Sequence, residues 1–208
     1  MSARSTSEGA PPRSEPPGYP SDLERDVVAD GVRFHVRPIR PGDGPGLVEL
    51  HARLSPRSVY LRFFGAHPRL SDAEVDRFTS VDYADRLALV ATVGEHIIGV
   101  ARYDRRADDD EAEVAFVVLD EYQHHGVGSL FLDELARAAR GNQIYAFRAE
   151  TLAENRAMLG VFHRAGYPVA STTSFGTVTV RFPIAPTASS EAARSAREAR
   201  RRVGASAT

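Results

Sequence analysis

The chain has 208 residues, 42% of them hydrophobic, and a formal charge of −2, which suits one globular domain with extra at the ends and gives no global case for a nucleic-acid partner. It contains neither cysteine nor lysine, which excludes disulfides, a thiol nucleophile, thiolate metal sites and Schiff-base chemistry. No apolar run approaches the length that spans a bilayer, and residues 1–19 are Ser/Pro/Gly-rich without an apolar centre, so no membrane partner and no secretory signal are expected and the default location is the cytoplasm.

Residues 1–25 carry Pro11, Pro12, Pro16, Pro17 and Pro20 among small polar residues, too little apolar area to offset the entropy of ordering. A disordered tail is expected there, followed by a domain over 26–184 and a second, Arg/Ala-rich tail over 185–208. The alternating run 32–40, with Pro38 near its end, predicts an edge or terminal strand. Pro41-Gly42-Asp43 predicts a turn whose aspartate caps a helix over 44–53. Residues 55–80 predict two short helices: Ser55-Pro56 sets a cap before a first-turn proline, and Ser71-Asp72-Ala73-Glu74 has the capping-box form. The run 87–93 is nearly all apolar, as in a strand covered on both faces, and 97–103 follows Gly94-Glu95 as its hairpin partner. Asp108-Asp109-Asp110-Glu111 reads as a solvated acidic turn, and the histidines show no ligand spacing, so no metal is expected.

The strand 113–119 alternates, with Val114, Phe116 and Val118 on one face and Glu113, Ala115 and Val117 on the other. A glutamate opening so apolar a strand is either an exposed strand end or a carboxylate that needs a partner. Gln123-His124-His125-Gly126-Val127-Gly128-Ser129 then leads into a helix over 128–140. A glycine-rich turn opening a helix presents unpaired N–H groups at the positive end of the helix dipole, and glycine lets the backbone approach an anion. A P-loop would need a lysine and a dinucleotide fingerprint a glycine at Phe131, so neither fits. A Gly-x-Gly before a helix also serves tight packing alone, and the loop by itself leaves both readings open. Residues 144–151 predict a strand. A helix follows over 154–167, with Met158, Phe162 and Ala165 toward the core and Gly166 as its stop. The runs 169–173 and 177–182 close the sheet as a hairpin. The last segment, with Arg194, Arg197, Arg200, Arg201 and Arg202, reads as a solvated helix or a basic tail, and the tail is the expectation.

The pattern Gln123-x-x-Gly126-x-Gly128 resembles the pyrophosphate loop of the GNAT acetyltransferases, and the likeness runs from about residue 34 to about residue 182. Tyr60-Leu61-Arg62-Phe63-Phe64 and Ala112-Glu113-Val114-Ala115-Phe116-Val117-Val118 are similar to the Pat-type protein lysine acetyltransferases within that family. Asn155, followed eleven residues later by Gly166 and then Tyr167, resembles its second signature. The resemblance implies an α/β (α+β) GNAT fold: a mixed, mostly antiparallel twisted sheet with a splayed central parallel strand pair and helices on both faces. It implies acetyl-CoA as co-substrate, with no metal. The pantetheine arm would lie along Phe116, Val117 and Val118, the pyrophosphate on Gln123, His124, His125, Gly126, Val127, Gly128 and Ser129, and the thiol end near Asn155 and Phe162. Glu113 falls on the family's general base. Many members place a tyrosine acid where this chain has Phe162, and Pat-type enzymes are similar in lacking it. The implied activity is N-acetylation of protein lysines, such as those of acyl-CoA synthetases. The rival readings are a small-molecule amine acetyltransferase and a non-catalytic acyl-CoA sensor. Pat-type relatives often carry an attached nucleotide- or amino-acid-binding domain; none is expected here, so regulation would come from elsewhere.

Overall fold

A computed structural model describes residues 15–29, 31–106 and 110–205, with side chains described as far as residue 200. Its strands are β1 (Arg25–Ala29), β2 (Val32–Pro38), β3 (Arg86–Val93), β4 (His96–Arg105), β5 (Glu111–Val118), β6 (Ala146–Leu152), β7 (Ala170–Ser174) and β8 (Thr177–Pro183). Among the described residues they form one sheet in the order β1-β2-β3-β4-β5-β6-β8-β7. Every neighbouring pair is antiparallel except β5 and β6. The helices are α1 (Gly44–Arg53), α2 (Pro56–Phe63), α3 (Asp72–Thr79), α4 (Val127–Gly141), α5 (Arg156–Arg164) and α6 (Ala188–Ala205).

Local chemistry accounts for most of these bounds. Ser55 accepts a hydrogen bond from the Ser58 N–H at 3.1 Å and starts α2 ahead of Pro56. Ser71 and Glu74 exchange the two bonds of a capping box at the start of α3. The near-continuous apolar run of β3 is covered on both faces, and Leu87, Ala88, Leu89, Val90 and Ala91 are each at most 1% exposed. The alternation expected of β5 divides the molecule in two layers. Ala115 and Val117 face residues of α1, α2 and α3, whereas Phe116 packs on Phe162 of α5 with ring centroids 6.0 Å apart.

The parallel pair is what opens the sheet. β5 and β6 are paired only at Glu111 with Ala146, Ala112 with Phe147 and Glu113 with Arg148. Beyond that point β5 stays with β4 as far as Val118, and β6 stays with β8 as far as Leu152. The two strands therefore diverge just after Glu113, which is the expected splay.

Both ends of the domain differ from the expectation. Residues 1–14 lie outside the described residues, but the tail expected over 1–25 is folded from within it: Leu23 is 2% exposed and the Tyr19 ring stands edge-on to Tyr83 at 5.7 Å. Two large apolar side chains thus offset the ordering entropy that the proline-rich composition seemed to leave unmet. Strand β1, absent from the sequence reading, adds to β2 as a hairpin. At the other end, α6 replaces the tail expected over 185–208. Reciprocal bonds between Thr187 and Ser190 cap it, and its start packs on Gly166, where a Cβ would lie 2.5 Å from the Ser189 carbonyl oxygen. Asp108 and Asp109 of the acidic turn lie outside the described residues.

Candidate active site

The divergence of β5 and β6 leads into a cavity of about 590 Å³, within the range typical of small-molecule sites. Phe116, Val117 and Val118 border it from β5, Gln123 to Ser129 from the glycine-rich loop, and Asn155, Met158, Val161 and Arg164 from the α5 segment. Every residue expected to hold the coenzyme is therefore gathered around one opening except Phe162. That ring is 1% exposed and sits 5.6 Å from Phe182, in the core behind the wall. Phe162 meets the cavity through Phe116, which packs on it and borders the opening.

Backbone geometry makes the β5 edge available. The Leu119 N–H donates to the Ile98 carbonyl at 2.9 Å, so by alternation the polar groups of Val118 and Phe116 turn away from β4 toward the opening. Gln123 Nε2 donates to the Val118 carbonyl at 3.1 Å and to Ser58 Oγ at 3.3 Å, which ties the loop to both β5 and α2. Asp120 holds α2 from the same side. It accepts from the Ser55 N–H at 3.1 Å and from the hydroxyls of Ser55 and Ser58, each at 2.8 Å. Burial pushes its carboxyl upward, but these donors outweigh burial and hold it below the usual carboxylate range.

The loop leaves its N–H groups free of side-chain caps. Gly126, at φ +77°, precedes α4 without a capping side chain, and the Leu130 N–H makes the first bond back to the Gly126 carbonyl at 3.0 Å. The N–H groups of Val127, Gly128 and Ser129 thus stand at the positive end of the α4 dipole on the cavity border. Asn155 turns part of its chemistry inward to its own helix, since its Oδ1 accepts from the Met158 N–H at 3.1 Å. Among the described residues no carboxylate borders the cavity, whereas the guanidinium groups of Arg62, Arg164, Arg197 and Arg200 do, beside His124 and His125. In a chain of formal charge −2, that imbalance marks a site for an anion.

Glu113 lies at the point of divergence, exposed, and outside the cavity border. From Glu113 to Val117 is about 13 Å of strand, four rises of about 3.3 Å each. Both residues share the face toward α2, where Arg62 and Val117 border the large cavity and also a smaller one of about 30 Å³. Burial lowers the Arg62 guanidinium from its ordinary value, against the pull of the Glu113 and Asp104 carboxylates. Arg102, stacked over Phe78 at 4.1 Å, is pushed down to about 10 by burial and by the neighbouring Arg62 charge. Neither arginine, nor any residue of α6, was singled out from the sequence as part of the site. Their positions depend on packing between elements far apart in the chain. Among the described residues no group of three His, Cys, Asp or Glu side chains is placed to hold a metal, and no helix is long and apolar enough to cross a membrane.

A mixed sheet that parts at its one parallel pair, with a glycine-rich helix start closing the gap, defines the class: an acyltransferase. Residues 55–167 match the Acetyltransferase (GNAT) family. The chain belongs to that family, and its fold is the GNAT fold. Acetyltransferase Pat of Mycolicibacterium smegmatis is 33% identical over 142 residues, 67% of this chain and 42% of its own length. An acetyltransferase of Pseudomonas aeruginosa is 31% identical over 133 residues, 62% of this chain and 72% of its own. Among solved structures, the GNAT domain of S. lividans PAT is 42% identical with a TM-score of 0.75, covering 79% of this chain and 99% of that one. The chain thus spans less than half of the length of the M. smegmatis relative and nearly all of the S. lividans domain.

Proposed function

We propose that this acetyltransferase uses acetyl-CoA to acetylate a lysine side chain of a protein, with Glu113 as the base. The observation that carries the reading is the cavity itself, with an open strand edge at one end, an uncapped helix start at the other, and arginines but no carboxylate around it among the described residues. An elongated, polyanionic thioester fits that distribution of chemistry. When bound, acetyl-CoA supplies an activated acetyl group. The backbone edge at Phe116 and the Val118 N–H suits its amide arm, and the loop N–H groups suit its diphosphate. The likeness to Pat acetyltransferases supports a protein acceptor.

A lysine acceptor is protonated near neutral pH, with a pKa of about 10.4, and attacks a carbonyl carbon only after losing that proton. Glu113 is exposed where an acceptor can reach it, and it would take the proton directly or through a water. Backbone N–H groups facing the opening near Val118 would stabilise the oxyanion as the carbonyl becomes tetrahedral. No covalent enzyme intermediate is required.

The test is CoA release from acetyl-CoA with a panel of acyl-CoA synthetases and polyamines. Glu113→Gln should lower turnover by about 10²–10⁴-fold and leave acetyl-CoA affinity within a factor of about two. Full turnover by Glu113→Gln would remove the base assignment, and acetylation of a polyamine but of no protein would replace the acceptor class.

A further inference from the structure

Helix α6 lies outside the residues that match the family, yet it forms a wall of the cavity. Ala193, Ala196, Arg197 and Arg200 all border the opening, and their spacing of three, one and three residues is a single stripe of an α-helix. The two alanines let the helix backbone come close. The two arginines do different work.

Arg197 is committed to the fold. Its Nη2 and Nε reach the Asp133 carboxylate of α4 at 2.6 and 3.1 Å, and its Nη1 donates to the Arg164 carbonyl at 2.9 Å. The ion pair is largely buried, with side chains 16% and 8% exposed. This contact pins α6 across α4 and the end of α5 and sets the direction of everything one turn further on. Arg200 is that next turn. Its guanidinium has no hydrogen bond or ion pair among the described residues. Neither has the guanidinium of Arg164, which folds back along α5 so closely that a Cβ on Gly160 would lie 2.5 Å from Nη1. Two guanidinium groups uncommitted among the described residues, one on each of two neighbouring walls, thus border a cavity to which no described carboxylate contributes.

The charge of the ligand in the reading above exceeds what the loop can meet. One helix start suits a diphosphate, but coenzyme A also carries a separate phosphate monoester on its ribose 3′ carbon, close to dianionic at neutral pH. Guanidinium groups are the side chains whose planar donors match a phosphate two at a time. We propose that Arg164 and Arg200 form a subsite for the ribose 3′-phosphate, built by α6, and that this chain thereby selects coenzyme A over its 3′-dephospho form. The proposal rests on acetyl-CoA being the donor.

Titration calorimetry of the full chain with coenzyme A and with 3′-dephospho-coenzyme A separates the two claims. Wild type should bind coenzyme A about tenfold tighter, since two partly exposed charge pairs contribute roughly a factor of three to five each. Arg164→Gln and Arg200→Gln should each reduce the preference, and the double variant should abolish it by weakening coenzyme A alone. Arg194, which pairs with Glu198 at 3.8 Å away from the cavity, gives the control: Arg194→Gln should keep the full preference. Equal affinity of wild type for both compounds, or equal weakening of both by the double variant, overturns the subsite and leaves the donor reading intact. Failure of wild type to bind either compound overturns the donor reading and the subsite with it.

Discussion

Phe162 occupies the position at which the family resemblance raised the question of an acid, and its surroundings answer it in terms of packing. The ring is 1% exposed, with Phe116 and Phe182 as aromatic neighbours, so a hydroxyl there would be buried beside aromatic carbon. Phe162→Tyr should therefore lose about 1–3 kcal/mol of stability in urea unfolding, the cost of an unpaired buried hydroxyl, and should not raise turnover. A gain in kcat with unchanged stability would place the ring in the cavity instead. His51 gives a second residue-scale consequence. It sits 7% exposed between Phe63 and His67, and burial, then the nearby His67, pushes its pKa below the ordinary value of 6.5, with the Glu74 carboxylate opposing. The fold therefore favours the neutral ring. Its contribution to stability is complete above the unfolded pKa and is lost as pH falls through the depressed folded one. Between about pH 7.5 and 5.5, above the range where carboxylates titrate, wild type should lose stability, and His51→Gln should show a flatter profile in the same denaturant series. Equal slopes would show that burial leaves His51 free to ionise.

Elements whose causes are local were legible before the structure, and those held by distant partners were not. Ser55 and Ser71 announce α2 and α3 because their capping partners, Ser58 and Glu74, lie three residues away. The stripe of α6 is small and basic rather than apolar, so its pattern reads as a solvated segment. The carboxylate that anchors it, Asp133, is 64 residues distant. Strand β1 was missed for a related reason: five residues with only partial burial gain their place by pairing with β2. The site depends on such long connections as well. Asp120 ties α2 to the loop through Ser55 and Ser58, and Ser58 in turn meets Gln123. Asp120→Ala leaves those donors to water and should cost about 0.5–1.5 kcal/mol. It should also weaken acetyl-CoA binding, because Gln123 loses the support on its α2 side. Paired unfolding and titration measurements check both effects, and normal acetyl-CoA affinity in a destabilised variant would show that the loop holds its shape from β5 and α4 alone.

At the scale of the molecule, a parallel pair within a mixed sheet was implied by the family resemblance, whereas the place of β8 between β6 and β7 and the position at which the pair parts are tertiary properties. Glu113 and Arg148 are the last partners, and nothing in either strand's apolar pattern marks that limit. The composition carries a different whole-molecule consequence. All 26 basic residues other than histidine are arginine, so the chain presents no ε-amine anywhere on its surface. A guanidinium stays protonated far above neutral pH and offers no nucleophilic nitrogen to an acyl donor. An acetyltransferase of this composition therefore has no lysine of its own to consume the donor or to be altered by it. Incubation with acetyl-CoA alone should leave every side-chain nitrogen unacetylated in peptide mass spectra, with any stable amide acetylation confined to the α-amino group. Under the same conditions an added protein substrate should gain acetyl groups in a Glu113-dependent way. Stable acetylation found on an arginine of this chain would show that the site activates nitrogen far beyond what removal of a lysine proton requires, and the mechanism built on Glu113 would have to be replaced.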